Sequence, residues 1–128
     1  MRRVMQPFPF GSIERINALG QCYIDFARQH PGIFRLVFGF SEKHDGDEDL
    51  TACGREVFGI VIEAVANYLD LPPNHPMAAE RAYMLWTFVH GHSWLIIDGK
   101  TKAQDLQIDE GAMLSAVSDG LIASLRQP

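Results

Sequence analysis

The side chains with chemistry to offer gather in one short run, Trp86-x-x-x-His90-Gly91-His92-Ser93-Trp94. Trp86 and His90 are four apart, so on a helix they share a face. There His90 is a polar anchor in an apolar wall, as small-ligand cavities have. The plainer reading is a packed aromatic beside a buried histidine bonded to a carbonyl. His90 and His92 are two apart and point to different faces, whereas zinc on a helix asks for histidines at i and i+4. His30, His44 and His75 join them only through folding. No metal and no cofactor is expected. Gly91-His-Ser93-Trp-Leu95 partly copies the hydrolase pattern G-x-S-x-G. That motif needs a strand-to-helix elbow and a final glycine, and here the last position is Leu95 inside a helical stretch. Asp45, Asp47 and Asp49 alternate as in a calcium loop, but Leu50 stands where the turn glycine belongs. No carboxylate pair lies in an apolar segment and no glycine-rich phosphate loop is present. The expectation is therefore a protein that is not an enzyme.

The segment that must position these residues is Ala82 to Ile97, which contains no Asp, Glu, Lys or Arg. On a helical wheel its apolar residues cover every side, and a helix apolar all round has to be buried all round. Thr87, His90, Gly91, His92 and Ser93 interrupt it too much for a membrane span of about 20 apolar residues. It reads as the central helix of a helical domain, with Pro76 near its start and Asp98-Gly99 at its end.

Around it, the pattern predicts an all-α bundle of about five helices. Residues 1–11 hold Pro7, Pro9 and Gly11 and read as an extended lead-in or linker remnant, with Phe8 and Phe10 packing on the body. Residues 12–128 form a single domain. Ser12 caps a helix to about Gln29, with Ile13, Ile16, Leu19, Gly20, Tyr23, Ile24, Phe26 and Ala27 on one side, and Pro31 stops it. A short helix over 32–40 turns Phe34, Val37 and Phe38 inward, and Ser41 to Asp49 is a loop. A third long helix starts at Asp49 or Thr51 and runs to about Asp70. Its inner stripe is Leu50, Cys53, Val57, Phe58, Val61, Ile62, Val65 and Leu69. Gly99 to Leu106 is a polar loop. Asp109 then caps a last helix to about Leu125, on which Ala112, Ala116, Gly120 and Ala123 form a row of small residues. Such a row lets another helix backbone come close.

Length and charge set the outer limits. At 128 residues the chain has room for one core. A net charge of -5 and scattered basic residues argue against nucleic-acid binding by this chain alone. Cys22 and Cys53 have no metal or redox spacing and read as free thiols. No secretory signal opens the chain, so the expected location is cytoplasmic. The last two helices carry more apolar surface than four neighbours can bury. A two-fold dimer through those helices relieves the surplus, with Trp94, Ile97, Ala112, Ala116, Gly120 and Ala123 at the interface.

Trp86-x-x-x-His90-Gly91 in an apolar helix closed by Asp98-Gly99 resembles the Trp-His-Gly (WHG) C-terminal domain of TetR-family transcriptional regulators. Tyr23-x-x-Phe26-Ala27-x-x-His30-Pro31-x-x-Phe34-x-x-x-Phe38 is similar to the segment that opens such domains. The likeness covers roughly residues 12 to 125. It implies a homodimer through the last two helices and an effector bound in the interior. It also implies an N-terminal helix-turn-helix domain that binds DNA and is released by the effector. This chain has no helix-turn-helix segment, so the expectation is an excised ligand-sensing domain that meets DNA only through a domain missing here. The expected effector is small and largely apolar, lined by Phe34, Phe38, Phe58, Ile62, Trp86 and His90. The alternatives are a stand-alone helical interaction module and a small helical enzyme using His90.

Overall fold

The computed structural model describes the backbone of residues 1–38 and 48–125 and the side chains of residues 1–36 and 54–125. Among the described residues all regular structure is helical. A 3-10 turn, Arg2–Met5, precedes α1 (Ile13–Gln29), α2 (Pro31–Phe38), α3 (Glu48–Leu69) and α4 (Pro76–Ile97). The one-turn α5 (Lys100–Ala103), α6 (Glu110–Leu121) and a closing 3-10 turn, Ala123–Leu125, complete the chain. The Asp45–Asp49 pattern and the side chains of Val37, Phe38 and Cys53 lie outside the described residues.

Local chemistry explains the boundaries. His75 caps α4 by accepting the Met77 N–H at Nδ1 (3.1 Å), with Pro76 in the first helical position, where no N–H is needed. Asp109 Oδ1 accepts the Ala112 N–H (3.0 Å) and starts α6. Asp70 ends α3 in the left-handed region (φ 56°), while the Leu71 N–H returns to the Ala66 carbonyl. A short polar side chain tolerates that conformation better than an apolar one. Pro31 both ends α1 and begins α2, because its fixed φ suits a helix start.

Several local expectations need correction. Residues 2–5 are not extended: they form a turn that buries Met5 against the body. Phe8 is half-buried, but Phe10 is 74% exposed beneath the Arg15 guanidinium. Ser12 occupies the α1 N-cap with extended backbone, yet its hydroxyl makes no capping bond. The polar loop after Gly99 contains α5, and α6 stops four residues early before its final 3-10 turn.

α4 lies at the centre, packed by α1, α3 and α6. The core joins Ile16, Leu19 and Ile24 of α1, Phe34 of α2, Val65 of α3, Leu85 and Val89 of α4, and Leu114 of α6. Each such side chain contributes about 1.5–3 kcal/mol of burial. The α3 stripe is rotated from the expected one, since Ile60, Ala64 and Tyr68 are buried while Phe58 and Ile62 are only partly so. α4 is not covered on every side within one protomer. Tyr83 is 58% and Leu95 51% exposed, with Thr87 and Gly91 open between them on the same stripe. Those three neighbours cover the other flanks and leave this one to water.

Gly20 sets how closely α1 approaches α6: a Cβ there would lie 2.9 Å from a buried Leu114 methyl. At Gly59 a Cβ meets nothing within 4 Å. The two glycines should respond oppositely in urea denaturation. Gly20→Val overpacks the junction and costs about 1–3 kcal/mol. Gly59→Ala removes backbone freedom from an exposed helix and adds about 0.5–1 kcal/mol. A Gly20→Val chain as stable as the parent would refute this α1–α6 approach.

Candidate ligand site

An apolar cavity lies between α1, α3 and α4. Leu19, Gly20 and Tyr23 supply the α1 wall; Gly54, Val57, Phe58 and Val61 the α3 wall; Leu85, Trp86 and Val89 the α4 wall. Met1 reaches over from the N-terminal turn and lines it too. Arg2 of that turn pairs with Glu63 of α3 (3.3 Å) across exposed surface. At Gly54 a Cβ would meet nothing within 4 Å, so its missing side chain leaves part of the space. The cavity amounts to ≈ 30 Å³, the room of one or two waters. A site for a drug-sized ligand has about 300–1,000 Å³, so this conformation is nearly filled.

Beside the cavity runs a chain of polar bonds between aromatic rings. The Trp94 indole N–H donates to His90 Nε2 (2.8 Å). His90 Nδ1 and Tyr23 Oη are 2.6 Å apart. The Trp86 indole N–H donates to the same Tyr23 oxygen (3.1 Å). Trp86, His90 and Trp94 are successive i, i+4 positions, so one face of α4 carries all three. Phe34 closes the back of the chain, edge-on to Tyr23 and Trp94 at 5.5 Å and tilted against His90. Phe58 packs on Trp86 at 5.3 Å. Burial raises the proton affinity of the Tyr23 phenolate and lowers that of His90, because both charged forms lose water.

Of the residues expected to touch a ligand, Phe58 and Trp86 line the cavity. His90 stands one bond behind it, through Tyr23. Phe34 is fully buried behind His90, and Ile62 packs partly buried on the core outside the wall. Phe38 lies outside the described side chains. Periodicity had put Leu19, Tyr23, Val57, Val61, Leu85 and Val89 on inward stripes or in the apolar rod. No spacing rule singled them out as lining. Of the residues expected at a dimer surface, Ala112, Ala116 and Gly120 are exposed and Ala123 half-buried. Trp94 is half-buried, packed on Phe34 with the Arg35 guanidinium over its ring at 5.8 Å. Ile97 also packs on the core.

His92 goes the opposite way from His90. Its Nε2 bonds to Glu110 Oε2 (2.8 Å), which also accepts from Arg28, while Glu110 Oε1 accepts from Gln21 (3.1 Å). One carboxylate thus ties α1, α4 and α6 together. Ser93 Oγ donates to the Val89 carbonyl of its own helix (2.7 Å), with no strand-to-helix elbow near it. Among the described residues no three His, Cys, Asp or Glu side chains converge as metal ligands do. No described helix is long and apolar enough to cross a membrane.

These environments set the acid response. The folded chain binds a proton at His90 less readily than the unfolded chain, because partial burial strips water from the charged ring. Its contribution is complete above the ordinary value of 6.5 and is lost as pH falls from there through the lower folded value. At Glu110 burial pushes the carboxyl up, but bonds from Arg28, His92 and Gln21 and the Arg28 charge pull it down and prevail. Its contribution is present above 4.5 and is lost as pH falls through the depressed folded value. Urea midpoints measured down the pH scale should therefore fall in two stages. His90→Gln should erase the upper stage. Glu110→Gln should erase the lower one and cost about 1–3 kcal/mol at neutral pH. A His90→Gln profile identical to the parent's contradicts the first assignment.

A family model described as Tetracyclin repressor-like, C-terminal domain matches residues 16–117. No curated protein and no solved structure matches the chain. The match takes in most of α1, all of α2 to α5 and most of α6, so the three helical walls of the cavity and the open α4 stripe fall within it. The chain belongs to the tetracyclin repressor-like C-terminal domain family.

Proposed function

We propose that this chain is the effector-sensing and dimerising part of a TetR-like transcriptional repressor. It acts on DNA through a separate N-terminal reader and catalyses nothing. The observation that carries the reading is that α4 holds two unlike surfaces. One flank lines an interior apolar cavity, and another presents Tyr83, Thr87, Gly91 and Leu95 to water. The small residues Ala112, Ala116 and Gly120 of α6 are open as well. Two-fold packing of α4 and α6 against their symmetry mates covers both stripes with one interface. Trp94 and Ile97 then support that surface from beneath.

The effector is a small, largely apolar molecule held beside Phe58, Trp86 and Tyr23. A cavity of ≈ 30 Å³ is too small for it in this conformation. Binding therefore favours an arrangement in which α3 and the Met1 turn stand further from α4. The shift is limited by the effector's affinity difference between the two arrangements. Because α4 belongs to both surfaces, a change at its inner flank reaches the dimer seam. The catalytic alternative is disfavoured at His90, where both ring nitrogens are engaged by Trp94 and Tyr23. The domain is expected to work in the cytoplasm.

Sedimentation velocity tests the assembly. The parent chain should sediment as a dimer. Gly120→Leu should dissociate it while circular dichroism stays helical, since a Cβ at Gly120 meets nothing within 4 Å in the protomer. A parent that stays monomeric at all concentrations points instead to a stand-alone interaction module. In a thermal-shift screen, an effector present at about 100 times its dissociation constant should stabilise the fold by roughly 2.7 kcal/mol.

A further inference from the structure

The bonds among Trp94, His90, Tyr23 and Trp86 fix more than packing. An indole N–H only donates, so Trp94 at 2.8 Å requires a lone pair on His90 Nε2. A neutral imidazole then carries its proton on Nδ1. Burial disfavours the cation, which agrees with a neutral ring. The 2.6 Å contact is consequently His90 Nδ1–H donating to Tyr23 Oη. Trp86 donates to that same oxygen at 3.1 Å. Two donors fill the acceptor capacity of a phenolic oxygen. The other cavity-lining side chains, among them Leu19, Phe58 and Val89, bear no charge.

We propose that Trp94, acting through His90, makes Tyr23 a specificity device, so that the cavity takes an uncharged hydrophobe bringing no hydrogen-bond donor to the Tyr23 oxygen. The proposal rests on the reading of this cavity as the effector site. A ligand O–H or N–H aimed at that oxygen finds its acceptor capacity already filled, and the donor stays unpaired in an apolar space. Trp94 is a positioning residue, since it touches His90 and not the cavity. Without its N–H, the His90 proton is free to sit on Nε2. Nδ1 then accepts the Tyr23 hydroxyl, and one lone pair of the Tyr23 oxygen opens toward a ligand donor.

Two readouts on the full chain test this. Long-range proton–nitrogen correlations of the histidine rings should show His90 neutral with Nδ1 protonated at neutral pH. Trp94→Phe keeps a ring against Phe34 and should move the proton toward Nε2. A parent His90 protonated on Nε2 overturns the proposal. Cyclohexanone and cyclohexanol, of one shape, are then titrated against the Val89 methyl resonances. The parent should favour the ketone by about tenfold or more. Any apolar pocket gives the ketone some advantage, so the deciding result is the drop in that ratio in Trp94→Phe. An unchanged ratio overturns the claim. If neither compound moves the cavity resonances, the specificity claim falls together with the effector reading. A wrong tautomer sinks the proposal alone.

Discussion

The fold depends on one constraint: an uncharged helix, Ala82 to Ile97, must find apolar cover on every side. α1, α3 and α6 supply that cover on three flanks, and the buried positions Ala82, Leu85, Val89 and Ser93 mark where they lie. The rest of the chain arranges itself around this demand. Gly20 lets α1 come close enough to meet both Val89 and Leu114. The Glu110 carboxylate locks the start of α6 to α1 and α4, so that cover cannot slide away. Arg35 meets Asp98 and the Ile97 carbonyl at the end of α4, where a cation also suits the helix dipole.

The same helix carries three half-buried polar rings that meet Tyr23 of α1, and an unmade hydrogen bond inside a protein costs about 1–3 kcal/mol. Two indoles, an imidazole and a phenol therefore have to satisfy one another. Their order follows from what each can do. Indoles only donate, so each ends the chain; a neutral imidazole, with one acceptor and one donor nitrogen, bridges Trp94 and Tyr23. This accounts for a histidine four residues after one tryptophan and four before another on a single face. A phenylalanine at position 90 takes away the acceptor of the Trp94 indole N–H.

Much of this was legible from residue types. Strong periodicity located α1 and its inward face, because Ile16, Leu19, Tyr23 and Ile24 recur at helical spacing. Asp109 announced the start of α6 through its capping chemistry. The cavity was less legible. Its position depends on how far α3 is rotated, and a 22-residue helix with apolar residues on most sides does not declare its rotation. Ile60, Ala64 and Tyr68 turn inward, and Ile62 is left outside the wall. Tyr23 was read as core, because nothing in α1 alone shows that His90 and Trp86 converge on its hydroxyl from 67 and 63 residues away. The contacts of Trp94 are illegible for the matching reason: Phe34 and Arg35, which pack on its ring, belong to another helix.

Sharing one helix between an interior cavity and an open flank has a mechanical consequence. Trp86 touches the cavity on one side, and Tyr83 stands edge-on to it at 6.2 Å on the other. Tyr83 is more than half exposed. A packed interior resists small continuous deformation, because dispersion contacts weaken within a fraction of an ångström. Enlarging a cavity of ≈ 30 Å³ therefore displaces whole side chains. Trp86 has little freedom to absorb that displacement alone. Its indole N–H is held by Tyr23, and Phe58 lies against its ring. Motion at the cavity wall then passes to Tyr83 or to the axis of α4 itself, and either route ends on the flank that water now covers.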